Sequence, residues 1–217
     1  MQPYQVKFET VAVGDTRFRI RSLLDRQQYY DPEGEAERAG IAPAMWPIFG
    51  LLWPAGLFLA RTMAEFELAG RRILEVGCGL ALTSLVLHHQ GADITSTDLH
   101  PLAGGFLTQN LALNHLPALP YHAGSWADTV ASLGKFDLII GSDLLYEREH
   151  PELLAGFIDR HANESAEVII IDPGRGHHGR FRRAMAALGY SEETAWSDCQ
   201  PIRESIRNGR ILNYRRR

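Results

Sequence analysis

Two acids and a pair of glycines carry the first chemical signal in this 217-residue sequence. The run Ile73-Leu74-Glu75-Val76-Gly77-Cys78-Gly79-Leu80 reads as a buried strand ending in an acid and a Gly-x-Gly turn, with a helix directly behind it. Glycines in such a turn let the backbone pass close to a ligand where a Cβ would clash. Asp98 stands 21 residues beyond Gly77, at the end of the next strand, with Leu99 beside it. A carboxylate at that place can accept both hydroxyls of a ribose. Together these residues describe a nucleoside site.

The kind of nucleoside follows from charge. A dinucleotide site needs a third glycine three residues after the second, to bring the helix onto the sheet and seat a pyrophosphate on its N-terminus. Leu82 occupies that position. Glu75 at the mouth of the turn would repel a pyrophosphate, yet it suits the ammonium and sulfonium charges of S-adenosylmethionine (SAM). Electrostatics therefore favours SAM over a nicotinamide dinucleotide. A βα turn without any ligand is the bland reading, and the second acid at Asp98 weighs against it. Ser125 and Trp126 follow the third strand, where a hydroxyl can meet the adenine edge and an indole can cover its face. Ordinary core packing accounts for Trp126 equally well. Upstream, Trp46 and Trp53 flank a Pro- and Gly-rich aromatic run that can roof the cofactor, although single tryptophans more often only pack.

Positioning these groups requires parallel strands joined by crossover helices, and the sequence has that rhythm. Strands are expected at 72–76, 93–97, 119–122, 136–141 and 167–171. Helices are expected at 80–90, 101–114, 151–161 and 178–188, the first closed by Gly91 and the second opened by Pro101. After Gly189 the pattern changes to two extended runs, 190–197 and 208–214, which most simply form an antiparallel hairpin at the sheet edge. Residues 6–13 and 17–23 flank Gly14-Asp15 and read as a further hairpin. Residues 24–45 read as a polar, mobile loop.

Composition bounds the class. A hydrophobic fraction of 45% and a charged fraction of 22% suit one globular core. Lys and Arg total 22 against 26 Asp and Glu, a formal charge of -4, so no overall positive field draws the chain to nucleic acid or anionic membrane. The cluster Arg203, Arg207, Arg210, Arg215, Arg216 and Arg217 is expected to be a solvated strand end. Two cysteines, Cys78 and Cys199, do not make a disulfide framework. The opening residues lack the pattern of a secretory signal, and the apolar stretch 41–60 is broken by Pro43, Pro47 and Pro54. A cytoplasmic protein, monomeric or weakly oligomeric, is expected. His88-His89 and His177-His178 lack a third ligand at zinc-like spacing, so no metal is expected, and no Gly-x-Ser-x-Gly elbow announces a hydrolase.

With these residues in place, the sequence resembles the seven-stranded SAM-dependent methyltransferases, and more narrowly methyltransferase family 16, which contains many protein lysine methyltransferases. The resemblance spans residues 45–180. It rests on Trp53-Pro54, on Leu74 to Gly79, on Thr97-Asp98, on Asn110 with Asn114, on Trp126, and on Gly141-Ser142-Asp143-Leu144-Leu145-Tyr146. It implies a Rossmann-like α/β fold with a seven-stranded sheet and helices on both faces. An N-terminal extension over 1–45 would then precede a SAM-dependent domain over 46–217. In that family an Asp-x-x-Tyr element sits beside the transferred methyl, which implies Asp143 and Tyr146 here as the catalytic pair, with Asp143 also near the cofactor. Trp53-Pro54-Ala55-Gly56 and Asp172-Pro173-Gly174-Arg175 are further similar to the branch that methylates lysines of the electron-transfer flavoprotein beta subunit.

Transfer from a sulfonium is an in-line displacement, so holding a neutral nucleophile at attack distance supplies much of the catalysis. Lysine, with an unperturbed pKa of about 10.4, must first lose a proton. Asp143 can orient the ammonium or steer its proton to water, while Tyr146 and a tryptophan hold its stem. A protein substrate is thus expected. A small-molecule N-methyltransferase, a SAM-binding interaction domain without turnover and an oxidoreductase are the competing readings.

Overall fold

The computed structural model describes residues 4–68, 70–129, 131–193, 206 and 208–216. Strands β1 (Val6–Val13) and β2 (Thr16–Leu23) form an antiparallel hairpin in full register, turned by Gly14 at a φ of 55°. A short helix α1 (Glu35–Arg38) and a 3-10 turn (Trp46–Gly50) lead to α2 (Pro54–Ala64). There follow β3 (Arg72–Val76), α3 (Leu82–His89), β4 (Asp93–Asp98), α4 (Ala103–Leu113) and β5 (Tyr121–Ala123). The second half runs β6 (Phe136–Ser142), α5 (His150–His161), β7 (Ala162–Asp172), α6 (His178–Ala187), β8 (Tyr190–Glu192) and β9 (Arg210–Arg216).

Seven of these strands form one sheet in the order β5-β4-β3-β6-β7-β9-β8. The first five are parallel, whereas β9 runs antiparallel to both β7 and β8. Alternation along the strands sends side chains to both faces. Ile73, Leu138, Ile140, Ile169 and Ile171 pack against Phe58, Leu59 and Met63 of α2. Leu74, Val76, Ile139, Val168 and Ile170 pack against Leu154 and Ile158 of α5 and Phe181 and Met185 of α6. The chain leaves β3 to one side through β4 and returns to its other side at β6. That reversal is a topological switch point, where the crevice outside the carboxyl ends of the strands receives a ligand.

Several boundaries differ from the sequence expectation. Ala81 takes a left-handed φ of 58°, which delays α3 to Leu82. Pro101 stays in a turn and α4 begins at Ala103. The third strand shrinks to three residues, while β7 is longer than expected because it continues straight from α5. The 24–45 segment is tied down rather than featureless. Asp31 accepts the amides of Ala36 and Glu37 at 3.1 and 2.9 Å, Ala36 is fully buried, and Tyr29 meets Trp46 edge-on. Trp46–Ala64 is long and apolar enough on average to count as a candidate span, but it folds as the 3-10 turn, a break and the 11-residue α2. In the arginine cluster, Arg216 pairs with Asp159 at 2.9 Å, and Arg215 reaches Glu167 at 3.5 Å, a buried acid that also binds Arg71 at 2.8 Å. Arg210 and Arg215 are exposed, so this is the solvated strand end expected, with these ion pairs tying it to the sheet and to α5. Residues 194–205, which include the rest of the expected 190–197 strand, Cys199 and Arg203, lie outside the described residues, as do Arg207 and Arg217.

The hairpin docks on α4 through two asparagines one turn apart. Asn110 accepts the Arg21 amide at 2.7 Å and donates to the carbonyls of Arg21 and Leu80, both at 3.3 Å. Asn114 repeats the pattern with Arg19, amide and carbonyl both at 2.8 Å. Each amide side chain thus imitates one rung of a β ladder. Val11, Phe18, Ile20 and Leu23 of the hairpin share a core with Leu82, Leu85, Phe106 and Leu107.

Candidate active site

The turn after β3 and the end of β4 form one hydrogen-bonded unit. Gly79 donates its amide to one Asp98 oxygen at 2.7 Å, and His100 donates its amide to the other at 2.8 Å. Burial raises the Asp98 carboxyl, and the amides of His100, Gly79 and Leu99 pull it back down. A carboxylate offers about four lone-pair sites, so with these amides bound it keeps room for a further donor such as a ribose hydroxyl. His100 itself stacks flat on Phe49, with ring centroids 3.7 Å apart, and Trp46 closes on it edge-on. Burial holds the His100 imidazole at about 3, hence neutral, despite the nearby Asp31 charge.

The other wall of the crevice is built at the end of β6. Asp143 has a φ of 55° and anchors its amide on the Ile171 carbonyl at 2.8 Å. Its carboxylate is gripped by both prongs of Arg175, Nε and Nη2, each at 2.7 Å. Tyr146 lies edge-on to His150 at 4.5 Å between centroids, and Trp126 does the same from another side at 5.1 Å. His150 is fixed by donating Nδ1–H to the Leu144 carbonyl at 2.7 Å, and burial lowers it, so it stays neutral. Burial first, then the charges of Asp98, Glu147 and Asp143, push the Tyr146 phenol up to about 12. Tyr146 is thus a hydrogen-bond donor at neutral pH and not a base.

Gly77, Cys78, Gly79, Asp98, Trp126, Asp143 and Tyr146 accordingly share the carboxyl edge of the sheet. Leu99 lies beside them, exposed. Trp53 caps α2 and ties its indole N–H to the Ile48 carbonyl at 2.9 Å. Two residues face elsewhere than the sequence suggests. Glu75 is buried and accepts both the amide of Ser84, at 2.9 Å, and its hydroxyl, so it caps the first turn of α3 from beneath instead of standing open at the mouth. Ser125 spends its hydroxyl on the Ala127 amide at 3.1 Å, closing a local turn with Asp128. Packing also demands both glycines: each has a left-handed φ, 60° at Gly77 and 53° at Gly79, and a Cβ would stand 2.8 Å from the Phe49 carbonyl oxygen at Gly79 and 2.5 Å from the Leu144 side chain at Gly77.

Sequence reasoning passed over His150 and Arg175 as site residues. Pro151, which opens α5 and fixes His150 at its first turn, is the one local mark of the former.

The donor set fits SAM. The Gly79 amide, which a pyrophosphate would need, is already spent on Asp98. Burial pushes the Glu75 carboxyl up to about 7, an energetic debt that a neighbouring cation relieves and an anion deepens.

Residues 38–180 match the profile of the lysine methyltransferases. The chain belongs to the lysine methyltransferase family. Within that family it is 31% identical over 143 residues to the electron transfer flavoprotein beta subunit lysine methyltransferase of Mus musculus, covering 64% of this chain and 55% of the relative. It is 33% identical over 125 residues to the protein N-lysine methyltransferase METTL21A of Danio rerio, covering 54% and 55%. The chain thus spans about half the length of these curated relatives. Among solved structures, the Thermus thermophilus 16S rRNA N2 G1207 methyltransferase with AdoMet and guanosine superposes at a TM-score of 0.66, with 13% identity, over 100% of this chain and 52% of the other. The Synechocystis magnesium protoporphyrin IX methyltransferase with bound SAM gives 0.58 and 19% over 76% and 80%. The fold is that of SAM-dependent methyltransferases.

Proposed function

We propose that this chain transfers a methyl group from SAM to the ε-amine of a lysine in another protein. The observation that supports it is the convergence of Asp143 and Tyr146 on the crevice already occupied by the Asp98–Gly79 unit. SAM supplies a methyl carbon whose bond pair returns to sulfur as the lysine Nζ lone pair makes the new N–C bond. The protein's own residues do the rest. Asp98 takes the ribose hydroxyls. Trp126 and Tyr146 flank the approach of the aliphatic stem, with His150 bracing both rings. Asp143 accepts from the amine and sets its direction, and the lysine proton leaves to water. Holding the amine in line supplies most of the rate.

A net charge of -4 supports a protein rather than a nucleic-acid partner, and together with the cysteine usage it supports a cytoplasmic setting. The relatives' named substrates make the electron-transfer flavoprotein beta subunit the first protein to try.

Incubating the chain with methyl-tritiated SAM and a cell extract, then hydrolysing the precipitated protein, should release labelled methyllysine. Label confined to the small-molecule fraction would overturn this reading in favour of a metabolite acceptor. A thermal shift with SAM but no label in either fraction would favour a binding domain.

A further inference from the structure

The acid assigned to the acceptor is not a free charge. Both Asp143 oxygens are engaged by the Arg175 fork, and the carboxylate side chain is only 11% exposed against 43% for the guanidinium. The loop that delivers Arg175 is itself pinned: Gly174 has a φ of 88°, and a Cβ there would stand 2.7 Å from the Asn208 carbonyl oxygen ahead of β9. Asp172 at the end of β7 and Tyr146 after β6 are the other groups whose charge reaches Arg175; behind them, Asp98 at the end of β4 and Glu147 act on Tyr146, and Glu147, Glu149 and His177 act on His150 of α5. Asp172 is fully buried, and among the described residues neither of its oxygens has a hydrogen-bond partner.

On the reading of the previous subsection, we propose that Arg175 is a positioning residue that cancels the Asp143 charge, so that the acceptor amine is held by a hydrogen bond without being trapped as ammonium. A lone carboxylate within about 4–6 Å of a lysine favours its charged form, typically by about 1–3 pKa units. That would deepen the step the reaction must climb, because only the neutral amine attacks. The fork consumes one lone pair of each oxygen and leaves the outer ones to accept from the amine. The acid keeps its direction and loses most of its field.

The test compares wild type, Arg175→Met and Arg175→Lys by single-turnover methyl transfer from saturating SAM to the extract protein that wild type labels, from pH 6 to 10. The Met variant is expected to move the alkaline midpoint up by about one unit or more. Its rate at pH 7 should fall about tenfold and recover toward wild type at the alkaline end, with the protein KM unchanged or lower. The Lys variant, which keeps the charge, should keep the wild-type midpoint. A readout independent of turnover is the 13C NMR titration of the same protein, its lysines dimethylated with labelled formaldehyde, bound beside the demethylated cofactor product. The bound dimethyllysine should titrate at higher pH on the Met variant. A Met variant that loses the same factor at every pH, or a Lys variant that behaves as Met, overturns the proposal and leaves a simple loop tie. Arg175→Gln replaces Met should the latter not fold by circular dichroism. Wild type that labels no lysine overturns the lysine reading and this proposal with it, whereas wild type that labels lysine alongside an unmoved midpoint overturns this proposal alone.

Discussion

The Gly79 amide donates to Asp98 across 2.7 Å, so the turn after β3 and the acid after β4 cannot be perturbed separately. Asp98→Ala removes an ionic acceptor from two amides and, on the proposed reading, the partner of the SAM ribose. Hydrogen bonds to charged groups contribute about 1.5–3 kcal/mol, so SAM affinity is expected to fall about tenfold to a hundredfold. Isothermal titration measures it directly, and an unchanged dissociation constant would remove Asp98 from the nucleoside site.

Glu75 sets a pH dependence of stability. Burial raises its carboxyl from 4.5 to about 7, against hydrogen bonds from Ser84 and Thr83. The folded protein therefore binds more protons than the unfolded chain between those values, and this contribution is complete below 4.5 and lost as pH rises through 7. Glu75→Gln, which stays neutral, should flatten that slope in thermal melts of the SAM-free protein. A slope identical in both proteins would mean that Glu75 titrates normally.

Asn110 carries the hairpin. Asn110→Ala leaves the Arg21 amide and the Arg21 and Leu80 carbonyls without their partner in a buried place. At about 1–3 kcal/mol for each orphaned group, and about 2–4 °C per kcal/mol for a chain of this size, the melting temperature should drop by several degrees or more. Amide exchange should quicken first along β2. Asn114→Ala, at the exposed end of the contact, is expected to cost less.

Tyr146→Phe tests the phenol. With its proton held to about 12, Tyr146 cannot act as the base, and a ring of the same shape keeps its contact with His150. Loss of a general base typically costs about 100-fold or more, so a Phe variant within tenfold of wild-type kcat on the protein substrate is expected. Tyr146→Ala, which deletes the wall itself, should lose far more.

What could be read in the sequence was whatever leaves a periodic or strictly local trace. The βα rhythm fixed the sheet because alternating and helical hydrophobicity differ in period, and Gly14-Asp15 marked the hairpin because its turn needs a left-handed residue. Asp98 was visible from its distance to the glycine turn. The aim of a polar side chain leaves no such trace. Glu75 turns under α3 to Ser84, Asn110 and Asn114 find main chain 89 and 95 residues away, and Asp143 meets Arg175 across 32 residues. Such pairings are set by how the loops close, and no spacing rule anticipates them.

The asparagine clamp on β2 has one further consequence. It reads only the peptide groups of Arg19 and Arg21, so it is blind to which side chains those positions display. Arg19 is exposed, whereas Arg21 is buried with its guanidinium 4.2 Å from the Phe106 ring centre. The side chain at position 19 is thereby free to change while the mooring of the hairpin stays constant, whereas position 21 is held a second time, through its own side chain.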